Sequence, residues 1–351
     1  MAESEMTLEQ VRDNARLKLK GICGVFRSCD GEDNRICQGH SYGSAIGLGG
    51  LGSGASFRNN FQALQKLRLK TKLTGPEFVP DTSFTFLGKT LSMPVMAASV
   101  SGVNSFGGES VISEMDFCRA VVQGCLKAGS MGWRGDSFNY SLENPHGIIA
   151  IKEAAGSGVQ IIKPREQAMI IGFFKLAEEA GCAGVGVDLD GCGSYAMNLH
   201  KQPVQRKSLA EMKELVKATS LPVFFKGIME IEDALRAVEA GAKGVVVSNH
   251  GGRVLDHTPG TAEVLPGIKK AIGNSALVIV DGGVRTGYDV LKMLALGADA
   301  VLVGRDVVRA AVGGGADGVK IQMKTLSDDL GKAMKMTGCR NLSEINSSLL
   351  A

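Results

Sequence analysis

The chain has 351 residues, of which 44% are apolar, enough for a large buried core, and a length that a single barrel domain commonly reaches. Thirty-nine Lys and Arg face 36 Asp and Glu for a net charge of +3, which gives no electrostatic basis for binding nucleic acid. Forty-seven glycines without a collagen-like period imply many close backbone approaches, as in a loop-built site around a phosphate.

The N-terminal stretch, Met1 to Lys20, is charged and helix-like, with a polar amphipathic helix at Leu8 to Lys20 and no apolar signal core. No apolar run approaches the roughly 18 residues of a membrane span. Eight cysteines in such a chain read as reduced thiols, and the expected location is the cytoplasm. From Gly21 to Phe57 the chain is rich in Cys, Gly and Ser, ending in Gly47-Leu-Gly-Gly-Leu-Gly-Ser-Gly54. It lacks the pattern to fold alone and is expected to cover a larger body, with residues 1–60 as covering segment and 61–351 as the main domain. Cys23, Cys29, Cys37 and His40 lack a close Cys-x-x-Cys pair and read as free thiols rather than a zinc site, so no metal is expected.

Further along, short apolar runs alternate with helical stretches. The runs fall at 93–99, 126–131, 159–163, 183–188, 222–227, 244–248, 276–281 and 299–304. Helix-period segments occupy 109–125, 166–180, 208–219, 230–240, 286–296 and 318–337. Cys118 and Cys125, seven apart on the first of these, read as core packing. Buried strands separated by helices indicate a parallel sheet covered on both faces, and eight units predict an α/β fold of the closed (β/α)8, or TIM, barrel type with an N-terminal helical and loop extension. The competing architecture is an open doubly wound sheet. An internal echo favours closure: segments 180–188, 240–248 and 296–304 each pass from a helix-ending glycine into a strand, terminating at Asp188, Ser248 and Gly304. Barrel active sites form at the C-terminal ends of the strands, so these tips are where chemistry is expected.

Several tips carry reactive groups. Lys226 follows Phe224 and Phe225, so its ammonium is directed into the barrel mouth toward an anion. Ser248-Asn-His-Gly-Gly-Arg253 places an imidazole suited to proton transfer beside a guanidinium suited to clamping a carboxylate or phosphate. Asp281-Gly-Gly-Val-Arg285 and Gly304-Arg305 present backbone N–H groups and arginines, a phosphate-binding combination after the seventh and eighth strands.

Together, Lys226-Gly-Ile, residues 248–256, Asp281 to Arg285 and Leu296 to Arg305 resemble the FMN-dependent 2-hydroxy-acid oxidase and dehydrogenase family, typified by glycolate and lactate oxidases. The resemblance covers about residues 60–345 and implies the FMN-containing (β/α)8 barrel. It implies that Ala97, Ala98, Ser99 and Ser130 lie beside the flavin ring, Gln160 bonds its polar edge, and Lys226 and Ser248 contact it. Asp281, Gly282, Gly283, Arg285, Gly304 and Arg305 would hold the ribityl chain and phosphate. By the same resemblance His250 is the catalytic base, Asp188 its carboxylate partner, and Arg253 the binder of the substrate carboxylate.

Three departures accompany these matches. The family's tyrosine two residues after the glutamine is Ile162, the stretch Gly191 to Tyr195 offers no second arginine, and only Tyr42 stands near a place for the N-terminal tyrosine. The Cys- and Gly-rich segment resembles a branch described as hydroxy-acid-oxidising proteins or NAD(P)H oxidases. The expected function is transfer of a hydride equivalent from a small 2-hydroxy acid to FMN, with electrons passing to oxygen or another acceptor. An NAD(P)H oxidase and a decayed flavin-binding barrel are the alternatives. Homo-oligomerisation, as a tetramer, follows from the resemblance.

Overall fold

The computed structural model describes residues 6–19, 50–103 and 110–351. The expectations for Cys23, Cys29, Cys37, His40 and Tyr42 lie outside the described residues. Helix α1 (Leu8–Leu19) buries Val11, Ala15 and Leu19, four residues apart and so on one face. Helix α2 (Ala55–Lys66) runs through residue 60, where the covering segment was expected to end.

A hairpin of β1 (Phe84–Phe86) and β2 (Lys89–Leu91) precedes the barrel. Its two-residue loop, Leu87-Gly88, has φ of 50° and 77°, the double left-handed turn that matches strand twist. Eight strands then close into one parallel barrel: β3 (Val95–Ala97), β4 (Gly132–Arg134), β5 (Gly158–Ile162), β6 (Gly184–Asp188), β7 (Val223–Ile228), β8 (Gly244–Val247), β9 (Leu277–Val280) and β10 (Ala300–Val303). Strand β10 pairs with β3, which closes the sheet and eliminates the open doubly wound alternative. The second strand lies later than its predicted run: 126–127 end helix α3 (Glu114–Lys127), and pairing begins at Gly132.

Between and after these strands lie α4 (His146–Glu153), α5 (Gln167–Glu179), α6 (Tyr195–Leu199), α7 (Leu209–Lys217), α8 (Ile231–Glu239), α9 (Thr261–Ile272), α10 (Gly287–Ala295) and α11 (Arg305–Thr337). The expected helix 318–337 is the second half of α11, which is interrupted at Gly314 and Gly315. Helix α1 packs there, with the Val11 carbonyl where a Cβ on Gly313 would lie. No helix among the described residues is long and apolar enough to cross a membrane.

The two-residue period of the strands sorts their side chains into two layers. Met96, Met131, Trp133, Val159, Ile161, Phe224, Val246, Ile279 and Leu302 fill the barrel interior. Phe86 from the hairpin joins this layer, its ring 6.1 Å from Trp133 and 5.9 Å from Phe224, and Trp133 meets Phe224 edge-on at 5.1 Å. Rings buried this completely contribute about 1.5–3 kcal/mol each. The alternate residues, including Ala97, Ile162, Val187 and Phe225, pack outward against the helices. That alternation decides which side chains at the strand tips reach the site.

Candidate active site

The cavity at the C-terminal mouth of the barrel has a volume of about 180 Å³ and is lined by Ala98, Ser99, Lys163, Lys226, His250, Arg253, Asp281 and the loops after β9 and β10, among others. Lys226 continues the inward row of Phe224, as expected, and its ammonium is 3.2 Å from Asp188 Oδ1 and 3.9 Å from Asp281 Oδ2. Burial disfavours the lysine charge, but Asp188, Asp281 and Asp190 outweigh it and raise the pKa above the ordinary lysine range. Ser248 is fully buried; its hydroxyl donates to Asp281 Oδ1 at 2.7 Å and accepts the His250 N–H at 3.1 Å.

His250 itself has φ of 56°, a left-handed backbone uncommon outside glycine, followed by Gly251 at 61°. This turn sets the imidazole among charged groups. Its Nδ1 lies 3.1 Å from Asp190 Oδ1 and 3.4 Å from Asp188 Oδ2. Its Nε2 lies 3.4 Å from Lys163 Nζ. Burial holds the His250 pKa well below its ordinary value; Lys163, Lys226 and Arg253 add to this, while Asp188 opposes it. Burial also works against the charge of Asp188, but the His250 ring, Lys163 and Lys226 facing it prevail and hold its carboxyl well below the usual range. Asp190 moves the other way: burial and the adjacent Asp188 push it well above. Of the two carboxyls, Asp188 therefore gives up its proton the more readily and Asp190 the less.

Asp188, Asp190 and His250 offer ligand atoms within 4.8 Å of one another, the spacing of a metal site. The ammonium groups of Lys163 and Lys226 already sit against Asp188 at 2.6 and 3.2 Å, where a cation would have to go. The three groups read as a proton-transfer cluster. Room for Asp190 comes from Gly227, with φ of 90°, because a Cβ there would lie 2.4 Å from the Asp190 carboxyl carbon.

At the other end of the cavity the expected phosphate groups converge. Gly282 and Gly283 have φ of 105° and 78°, and a Cβ on either would run into Asn60 of α2. Asn60 accepts the Thr261 N–H at 3.0 Å and donates to Asn249 at 2.7 Å, tying α2 to the loop after β8 and to the start of α9. Phe57 and Phe61, one helical turn apart, lie under the guanidinium groups of Arg305 at 4.3 Å and Arg285 at 5.4 Å. No side chain caps α11 at Gly304, so its first N–H groups, with the two arginines, form an anion cradle. A phosphate held there and a ring lying beside buried Lys226 satisfy both ends of the cavity; the residues fit FMN.

Other expected positions are corrected by the strand geometry. Ser130 lies ahead of β4, at the N-terminal end of the barrel, with its hydroxyl bonded to the Val95 carbonyl, because the strand starts later than its apolar run suggested. Gln160 is on the outward row of β5: a Cβ on Gly147 of α4 would lie 2.3 Å from its Oε1, and its amide donates to the Ile161 carbonyl. Ala97 likewise directs its methyl group into the outer layer, leaving Ala98 and Ser99 at the cavity. Ile162 shares the outward row, so the inward position at this tip belongs to Lys163. Lys163, Asp190, Phe57 and Phe61 are among the site residues that sequence reasoning missed. Asp-x-Asp at 188–190 and Phe-x-x-x-Phe at 57–61 were their visible signals.

Comparison with known proteins agrees with this geometry. An L-lactate oxidase of Lacticaseibacillus rhamnosus (strain LMS2-1) is 29% identical over 326 residues, covering 84% of this chain and 86% of that protein. A 2-hydroxyacid oxidase of Dictyostelium discoideum is 47% identical over 140 residues, 40% of this chain and 36% of its own length. A mandelate oxidase variant with 2-hydroxy-phenylacetamide superposes with a TM-score of 0.77 at 28% identity, covering 98% of this chain and 97% of that one. Another mandelate oxidase variant, containing an FMN adduct, superposes at 0.71 and 30% identity, covering 86% and 92%. Residues 45–194 and 192–351 match the family described as FMN-dependent dehydrogenase, and with the cavity's fit to FMN the chain belongs to that family.

Proposed function

We propose that this chain oxidises a small 2-hydroxy acid, with His250 as the base and oxygen or another acceptor taking the electrons. The observation that supports this reading best is the His250 ring at the cavity, with Nδ1 backed by Asp188 and Asp190. Bound FMN supplies the two-electron acceptor. The chain's own groups do the rest. His250 Nε2 takes a proton from the substrate, and anionic Asp188 offsets the imidazolium charge that develops. Arg253, which lines the cavity, holds the substrate carboxylate. Gly282, Gly283, Arg285, Gly304 and Arg305 hold the FMN phosphate, Ala98 and Ser99 border its ring, and Lys226 lends positive charge there. Ser248 and Asp281 steady that lysine and the His250 turn.

The test is anaerobic mixing of FMN-loaded protein with L-lactate, glycolate, mandelate, NADH or NADPH while the oxidised flavin band is followed. Bleaching by a hydroxy acid is expected. Bleaching by a nicotinamide alone would overturn the donor assignment, and no bleaching by any donor would leave a binding protein. Because the base works when neutral and its pKa is held well below its ordinary value, activity should persist as pH falls through about 6.5. A kcat/KM profile whose acid limb lies at or above that pH would remove His250 as the base.

The same reading includes a cytoplasmic homo-oligomer, a tetramer by resemblance. Sedimentation of the FMN-loaded protein at micromolar concentration checks the assembly, and a monomer there would overturn it.

A further inference from the structure

Lys163 follows the last residue of β5 and is held from both ends. Its backbone N–H donates to Asp136 Oδ1 at 2.6 Å. Asp136 is fixed in turn by Arg165 Nε at 2.7 Å, and Arg165 also donates to the Ser137 carbonyl at 2.7 Å. The side chain, 12% exposed, reaches into the cavity and donates to Asp188 Oδ2 at 2.6 Å. Asp188 already has a cation on its other oxygen, Lys226 at 3.2 Å. Neutralising that carboxylate does not require a second lysine.

What Lys163 adds is its position against the imidazole, 3.4 Å from Nε2. An ammonium has donors only, so the nitrogen facing it must present a lone pair. The ring proton then belongs on Nδ1, where Asp190 Oδ1 at 3.1 Å and Asp188 Oδ2 at 3.4 Å can accept it. The charged groups around the ring come from five places: Lys163 after β5, Asp188 and Asp190 at the tip of β6, Lys226 on β7, Asp281 after β9, and Arg253 on the loop of His250 itself. Lys163 is the cation placed at Nε2.

We infer that Lys163 is a positioning residue for proton transfer: its ammonium fixes the tautomer of His250, with the ring proton on Nδ1 and the lone pair on Nε2, and yields that lone pair when the substrate's proton is delivered there. The inference rests on the proposed role of His250 as base. Burial, the largest influence on the ring, acts in the same direction, so Lys163 extends an effect the site already has. Removing its charge should let the ring accept a proton at higher pH.

The experiment compares Lys163→Met, Lys163→Gln and Lys163→Arg in the FMN-loaded protein. Ring carbon and proton shifts of His250 are followed by NMR against pH; with five histidines in the chain, His250→Asn assigns the signal. The Met and Gln variants are expected to raise the His250 midpoint by about 1–2 pH units, and Arg to return it toward the wild-type value. The acid limb of kcat/KM should move with it. An unchanged midpoint in Met and Gln variants that keep the bound-flavin spectrum would overturn the inference. The NMR readout needs no turnover, so failure of every hydroxy acid to reduce the flavin would count against the proposed function and leave the midpoint to decide on Lys163.

Discussion

Replacing His250 by asparagine is expected to slow anaerobic flavin reduction by a 2-hydroxy acid by about 10²–10⁴-fold, the usual worth of a positioned general base. Asparagine is the appropriate replacement because the residue's φ of 56° is left-handed, and Asn tolerates that backbone better than Ala or Gln. The groups proposed to hold the phosphate, Gly282 to Arg285 and Gly304-Arg305, lie on other loops, so the variant should purify yellow with an unshifted FMN spectrum. Stopped-flow reduction at saturating substrate is the measurement. A rate within threefold of wild type would sink the base assignment, because neither Asp188 nor Asp190 could then be acting through the imidazole. Loss of flavin with loss of rate would instead place His250 in the support of the cofactor loops, through its N–H bond to Ser248.

The fold was legible because parallel barrel strands advertise themselves. Gly184 to Asp188 and Gly244 to Val247 follow helix-ending glycines as unbroken buried runs, and their tips at Asp188 and Ser248 fall where the sequence places them. The second strand was not legible in the same way. Leu126 to Met131 looks as apolar as a strand, whereas the true strand ends in Arg134, a guanidinium buried over the Phe117 ring at 4.7 Å. Hydropathy counts that arginine as surface, so the strand was placed too early, and Ser130, assigned through the resemblance, falls ahead of it. Strand β5 fails for another reason. Both faces of a covered parallel strand are apolar, so the sequence Val-Gln-Ile-Ile-Lys does not reveal which residues face inward. Gln160 was assigned through the family resemblance, and Lys163, the last residue of the predicted run 159–163 and followed by Pro164, was overlooked. The roles of Phe57, Asn60 and Phe61 depend on contacts across roughly 200 residues, such as Asn60 to Thr261, which no local pattern encodes.

Asp188→Asn tests the electrostatic centre of the cluster. The substitution keeps the shape but strands two ammonium groups, Lys163 and Lys226, whose side chains are 12% and 5% exposed. Breaking one side of a buried ion pair costs about 3–5 kcal/mol, and Lys226 retains only the longer contact to Asp281 at 3.9 Å. The loss should appear as a lower melting temperature of the FMN-loaded protein at pH 7. Its dependence on pH has a definite sign. The folded pKa of Asp188 is held well below the unfolded value near 3.9, so its stabilisation is fully present above about pH 4 and is lost as pH falls further. The gap between wild type and variant should therefore stay constant from about pH 7 to 5 and close below about pH 4. Adding Lys226→Met to Asp188→Asn removes one of the stranded charges, so the double variant should melt above the Asp188→Asn single variant. If it melts lower still, the cost of losing Asp188 lies in packing rather than charge. The three-way arrangement of Asp188, Lys226 and Lys163 would then be no more than a well-fitted piece of the barrel core.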